Sequence, residues 1–67
     1  MDTVQFEYHV FVDGVAREGV FSASRLSDED ELRRTIAEIE GLRLDGQVVD
    51  VDRNTQKIVV REQAVYG

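Results

Sequence analysis

Few side chains of this 67-residue chain could do chemistry. His9 is the single histidine, and the predicted pairing of its strand places it opposite Glu18, so an imidazole lies beside a carboxylate. Catalysis by such a pair needs a nucleophile or a second base, and the same pairing brings no serine, cysteine or further base to them. We therefore interpret the two residues as an exposed cross-strand charge pair, and we expect a protein that is not an enzyme.

The segment Asp50-Val-Asp52-Arg-Asn54 begins like a calcium-binding loop. An EF-hand loop has glycine at its sixth position and a bidentate glutamate at its twelfth, and here these positions hold Thr55 and Arg61. The flanking residues also predict strands where an EF-hand has helices. Because the chain contains no cysteine, thiolate metal sites are excluded as well. We expect neither a metal nor a cofactor.

Composition limits the size and the partners of the protein. Its 67 residues suffice for one domain, residues 1–67, with one core. Fourteen acidic residues against eight basic ones give a net charge of −6. This charge disfavours nucleic acid and anionic membranes as partners, and it favours a protein partner, for example one with a basic surface. The same charge also keeps a small domain soluble. Without a signal-peptide pattern or an apolar run near 18 residues, a cytoplasmic location is expected.

A β-hairpin is predicted at the start of the chain. Residues 4–12 alternate between apolar and polar side chains, which is typical of a strand with one buried face. Asp13-Gly14 favours a two-residue type I′ turn, so a second strand should cover residues 15–23. Arg17 is then the one charged residue on the buried side. Either its head reaches water over an apolar stem, or a bulge shifts the register.

The helix is predicted over residues 28–40. Ser27 is a favourable N-cap, and acidic residues fill the first turn, where the helix dipole favours anions. Leu32, Ile36 and Ile39 recur at helical spacing and should form the stripe that faces the sheet.

A second hairpin follows, with strands over residues 47–52 and 57–62 and a tail over residues 63–67. Its polar loop sets Asp52 opposite Lys57, so that charges pair on one side and apolar residues on the other. The order predicts an α+β fold, two β-hairpins flanking one helix (ββαββ). This is the order of the β-grasp fold, in which a four-stranded sheet packs on the helix and the first and last strands are parallel, so we expect a β-grasp-like roll.

The chain resembles the immunoglobulin-binding domains of protein L and protein G, which have this β-grasp fold. The likeness covers residues 4–62 and rests on three segments: Asp13-Gly14, the acidic helix start Ser27-Asp-Glu-Asp30, and Gly46-Gln-Val-Val-Asp-Val-Asp52. These are features of the fold, so the resemblance implies the architecture and not an antibody target. Members of that family bind through the edge of the second strand together with the helix, which would correspond here to residues 16–22 and the outer helix face.

Apolar side chains also occupy the side of the predicted sheet that faces away from the helix. Such a group on an uncovered sheet often marks an interface with a protein partner or with a second copy of the chain. We predict that the open sheet face or the second-strand edge binds a partner through six residues: Phe11, Ala16, Glu18, Val20, Val48 and Val59.

Two alternatives to such an interaction module stay open. One is a small acidic phage- or plasmid-encoded inhibitor, similar to anti-CRISPR proteins, that blocks a basic surface. The other is a ubiquitin-like sulphur carrier of the same fold. Sulphur carriers need a C-terminal Gly-Gly, whereas this chain ends Val65-Tyr66-Gly67, with one glycine and a bulky tyrosine before it.

Overall fold

A computed structural model of the chain describes residues 2–63. It contains, in order, β1 (Thr3–Val12), β2 (Val15–Ser24), α1 (Glu29–Glu40), β3 (Val48–Asp52) and β4 (Lys57–Arg61). The predicted bounds differ from these by one residue, within the usual uncertainty of element ends. Gln63 lies beyond β4 without regular structure. The rest of the predicted tail, with the Val65-Tyr66-Gly67 end that bears on the sulphur-carrier alternative, lies outside the described residues.

The four strands form one sheet in the order β2-β1-β4-β3, with β1 and β4 parallel and both hairpins antiparallel. This confirms the ββαββ order and the α+β fold. Because β1 and β4 pair in the centre of the sheet, the two hairpins share one continuous surface on each side. The sheet edges are β2, with ten residues, and β3, with five.

The first hairpin turns as its sequence predicts. Asp13 and Gly14 have φ angles of 54° and 72°, which matches a type I′ turn. The ten β1–β2 pairs run without a bulge from Val12 opposite Val15 to Thr3 opposite Ser24. The register therefore does not shift, and the explanation of Arg17 by a bulge is wrong.

The N-cap of helix α1 lies one residue later than predicted. Asp28 is the N-cap, because its carboxylate accepts the backbone N–H of Glu31 at 2.9 Å. The prediction of Ser27 as the cap is wrong; this serine is buried, and its N–H donates to the Ser24 carbonyl at 3.1 Å. At the other end Gly41 takes a left-handed conformation with φ 66° and closes the helix.

The face that α1 buries differs from the predicted stripe at one position. Leu32 and Ile36 are fully buried, but Ile39 is 51% exposed. The buried side of the helix includes the largely buried side chains of Arg33 and Glu40, which shift its centre about a quarter turn away from Ile39. A stripe read from apolar residues alone misses these two charged residues, so the prediction for Ile39 is wrong.

The core lies between α1 and one side of the sheet. The four residues of β1 after Val4 that face the helix are all buried there, together with residues of α1, of the loop after it and of the second hairpin. The buried core residues are Phe6, Tyr8, Val10, Val12, Leu32, Ile36, Leu44, Val49, Ile58 and Val60. Among the described residues, no helix has the length and apolar character needed to cross a membrane.

Leu32→Ala should lower the free energy of unfolding by about 2–5 kcal/mol, because it removes a fully buried side chain from the core between α1 and the sheet. Ile39→Ala removes an apolar side chain from the same helix at a half-exposed position and should cost less than about 1 kcal/mol. Urea unfolding followed by circular dichroism measures both. Equal losses for the two variants would contradict the described face of α1.

Candidate functional site

The open face is the side of the sheet that points away from α1. Since side chains alternate along each strand, its members follow from the observed register. They form three rows that cross the sheet from β2 through β1 and β4 to β3: Ala16–Phe11–Arg61–Val48, Glu18–His9–Val59–Asp50 and Val20–Glu7–Lys57–Asp52.

Large apolar side chains on this face lie near the β2 edge. Phe11 is 52% exposed and Val20 is 57% exposed. The His9 ring lies nearly parallel to the Phe11 ring, with centroids 6.4 Å apart and an interplanar angle of 10°. A shallow depression of about 300 Å³ opens beside the two rings, against Ala16 and Glu18. We call His9, Phe11, Ala16, Glu18 and Val20 the β1–β2 patch.

The charges of the open face divide it into two halves. Lys57 of β4 lies between Glu7 and Asp52 in the register, so acidic residues flank it on both sides. Arg61 of β4 binds Asp50 of β3 at 3.2 Å. The β3–β4 half therefore balances its own charges, whereas the β1–β2 half carries apolar surface together with carboxylates.

His9 contacts two of those carboxylates. Its Nε2 lies 3.1 Å from Glu7 Oε2, and its Nδ1 lies 3.6 Å from Glu18 Oε2. Its other neighbours in the register and along β1 are Val59 and Phe11. Within the described residues none of these neighbours is a hydroxyl or a thiol, so the arrangement can orient the imidazole and bind a cation or a hydrogen-bond donor, and it supplies no nucleophile.

The six predicted partner-binding residues all lie on the open face, but the structure does not bring them into one group. Phe11, Ala16, Glu18 and Val20 belong to the β1–β2 patch. Val59 borders it across His9 and is half-buried. Val48 lies at the far edge, separated from Phe11 by Arg61. The sequence already placed His9 on this face opposite Glu18, but the predicted partner-binding set left it out; its position two residues before Phe11 on the same side of β1 was the available signal.

The calcium-like segment has a structural role. Asp52 Oδ1 accepts the backbone N–H groups of Asn54 at 2.9 Å and of Thr55 at 3.2 Å, which closes the β3–β4 turn. The Thr55 bond, followed by the Asn54 bond, holds the pKa of Asp52 below its usual range. Within residues 2–63 no group of three or more histidine or acidic residues is placed to hold a metal ion.

A part-buried polar contact joins the first hairpin to the end of the helix. The Tyr8 hydroxyl donates a hydrogen bond to Glu40 at the end of α1, and Arg17 of β2 approaches the same carboxylate at 3.8 Å. The hydrogen bond to Glu40, burial and the negative charge of that carboxylate raise the pKa of Tyr8 to about 12. The Tyr8 ring lies over Gly19, where a Cβ would come within 2.6 Å of the hydroxyl oxygen. Strand β2 therefore carries glycine at the one position that the ring covers.

No family model, curated protein or solved structure matches this chain. The resemblance to the protein L and protein G domains, which concerns the fold alone, stays a prediction.

Glu40→Gln should lower the pKa of Tyr8 from about 12 towards 10, because the amide accepts a hydrogen bond without the negative charge that disfavours the phenolate. A Tyr66→Phe background leaves Tyr8 as the one tyrosine, and the near-ultraviolet absorbance of phenolate follows its titration. Glu38→Gln, an exposed change on the same helix, is the matched control and should leave the titration unchanged.

The same interaction predicts alkaline sensitivity. The folded chain holds the Tyr8 proton up to about pH 12, while the unfolded chain releases it near pH 10. Its contribution to stability is therefore complete below pH 10 and is lost as the pH rises towards 12, which unfolding in urea at a series of pH values measures. If Tyr8 titrated near pH 10 and Glu40→Gln did not change its pKa, the contact would not be formed in solution.

Proposed function

We propose that this chain is a non-enzymatic protein-interaction module that binds a protein partner through the β1–β2 patch of its open sheet face. The observation that carries the proposal is the exposure of Phe11 next to His9 on a side of the sheet that α1 does not cover. Exposed aromatic side chains of this kind are enriched where proteins bind one another.

The chemistry of the patch indicates what would fit it. The depression beside Phe11 has room for an apolar side chain, and Glu18 at its margin has 77% of its side chain exposed. A partner that inserts an apolar residue beside Phe11 and places a lysine or arginine near Glu18 would match both features. Because Lys57 and Arg61 are each accompanied by acidic residues, the other half of the face offers less to an acidic partner.

Binding through this patch needs no catalytic step. The titratable contacts of the open face consist of His9 with two carboxylates and of paired Arg61 and Asp50. These groups can orient a partner and determine which charges on its surface are favoured. Polar residues at the rim of an interface have this role.

Phe11→Ser should abolish capture of the partner from an extract of the source organism, because it removes the apolar anchor. Ile39→Ser is the matched control, since Ile39 is 51% exposed against 52% for Phe11 and lies on α1. Quantitative mass spectrometry of material retained by each immobilised variant identifies proteins that wild type and Ile39→Ser hold and Phe11→Ser does not. Circular dichroism confirms that each variant is folded.

Val20→Glu provides a second test at the other exposed apolar residue of the patch, and it should weaken capture of the same protein. The captured protein should stay bound at roughly 0.5 M NaCl, because salt does not screen the burial of apolar surface. The proposal would be contradicted if Phe11→Ser left capture of the protein unchanged and high salt released it. That result would favour the acidic inhibitor of a basic surface instead.

A further inference from the structure

The two edges of the sheet are protected unequally. A strand at the edge of a sheet has unpaired backbone N–H and C=O groups. Proteins commonly protect such an edge by keeping the strand short, by placing charged residues on it or by covering it. Strand β3 has five residues, of which Asp50 and Asp52 are acidic. Strand β2 has ten residues without proline or a bulge, and Arg17 and Glu18 are its only charges.

The backbone groups that β2 leaves unpaired can be assigned. Glu7 N–H donates to the Gln56 carbonyl at 2.9 Å, so odd-numbered residues of β1 turn their backbone groups towards β4 and even-numbered residues turn theirs towards β2. Their β2 partners are the odd-numbered residues, Val15 to Ala23. The even-numbered residues of β2 therefore point their N–H and C=O groups out of the sheet. Within residues 2–63, the backbone groups of Glu18, Val20 and Ser22 meet no backbone partner across this edge.

We infer that this edge pairs with the same edge of a second copy of the chain, antiparallel and about a two-fold axis at Val20, to give a continuous eight-stranded sheet. This inference goes beyond the proposed function, because the edge pairs through backbone groups of β2, whereas the partner binds side chains of the open face; Glu18 and Val20 belong to both surfaces. A two-fold axis makes the contact self-complementary and closes the assembly at two chains.

The charges of β2 select the register. With the axis at Val20, Val20 faces its own copy and Glu18 faces Ser22 of the other chain. The two Glu18 residues are then four positions apart along the strands, about 14 Å, beyond the screening length of about 8 Å in physiological salt. Moving the axis to Gly19 makes the two Glu18 residues diagonal neighbours at about 7–8 Å, and moving it to Glu18 sets them directly opposite.

The helix side of the edge agrees with this register. Phe21 would lie opposite Gly19 of the second copy, beside the Tyr8 ring that covers that glycine. Phe21 already packs on Tyr8 in its own chain, with ring centroids 5.9 Å apart. Arg17 would face Ala23, so no charged residue of either strand meets a like charge directly. The net charge of −6 per chain opposes association, so higher salt should strengthen it.

Two opposite substitutions at Ser22 test the register by sedimentation in a concentration series. Ser22→Lys places a lysine opposite Glu18 twice in the dimer and should lower its Kd by about 2- to 30-fold; Ser22→Glu should raise it by a similar factor. In its own chain Ser22 is exposed and faces the neutral Gln5, so both variants should fold. Gln63→Lys and Gln63→Glu make the same changes of net charge at another exposed position and should shift the Kd less.

Amide hydrogen exchange gives a second readout at the edge itself. The amides of Glu18, Val20 and Ser22 should become protected as the protein concentration rises, whereas those of Arg17 and Gly19 are already bonded to β1. A single monomeric mass up to about 1 mM, for the wild type and for Ser22→Lys, would overturn the inference, since stable pairing leaves little free monomer there. The inference would also be overturned if neither Ser22 variant changed the Kd of the dimer and Phe11→Ser abolished the dimer. That result would assign self-association to the open face. Loss of partner capture with an unchanged dimer would concern the proposed function alone.

Discussion

The whole arrangement depends on one constraint: within residues 2–63 a single twelve-residue helix has to cover a four-stranded sheet, and it can cover only one side. In a small domain, area buried on that side is most of what opposes the loss of chain entropy. Leu32 and Ile36 accordingly pack against the helix-side residues of the central strands, and none of these remains exposed. The open face can then carry residues chosen for other reasons, which is why Phe11 can stand half-exposed beside His9 without weakening the core.

The central position of β1 also explains how much the sequence could predict. Strong alternation along β1, a turn dipeptide with one preferred geometry and a loop of fixed length determined both hairpin registers, so the members of the open face could be assigned in advance. The helix was harder, because its buried side uses Arg33 and Glu40. Burying charged residues requires partners, and only one of these is near in sequence: Arg33 pairs with Asp30 at 2.6 Å. The Gln47 carbonyl, which also binds Arg33, and the Tyr8 hydroxyl, which binds Glu40, are distant in sequence.

Glu40 illustrates a conflict between local and tertiary preference. A carboxylate at the C-terminal end of a helix opposes the helix dipole, which costs stability. Here the same carboxylate accepts the hydrogen bond of a buried tyrosine and lies within reach of Arg17. An unpaired buried hydroxyl costs more than an unfavourable dipole contact at a helix end, so the tertiary partner prevails. The same carboxylate therefore joins the end of α1 to the first hairpin.

The proposed edge pairing would change what the open face can do. A two-fold axis perpendicular to the sheet keeps both open faces on one side, and the β1 strands of the two copies would lie about three strand spacings apart, roughly 14 Å. Phe11 pairs with Ala16, and in the proposed register the Ala16 residues are eight positions apart along the strands, so the two Phe11 side chains would stand about 30 Å from each other. A partner that presents two binding segments at that separation would then gain affinity by binding both, while a monomeric partner would not. Weak binding by each patch is therefore compatible with tight binding of a dimeric or repetitive partner.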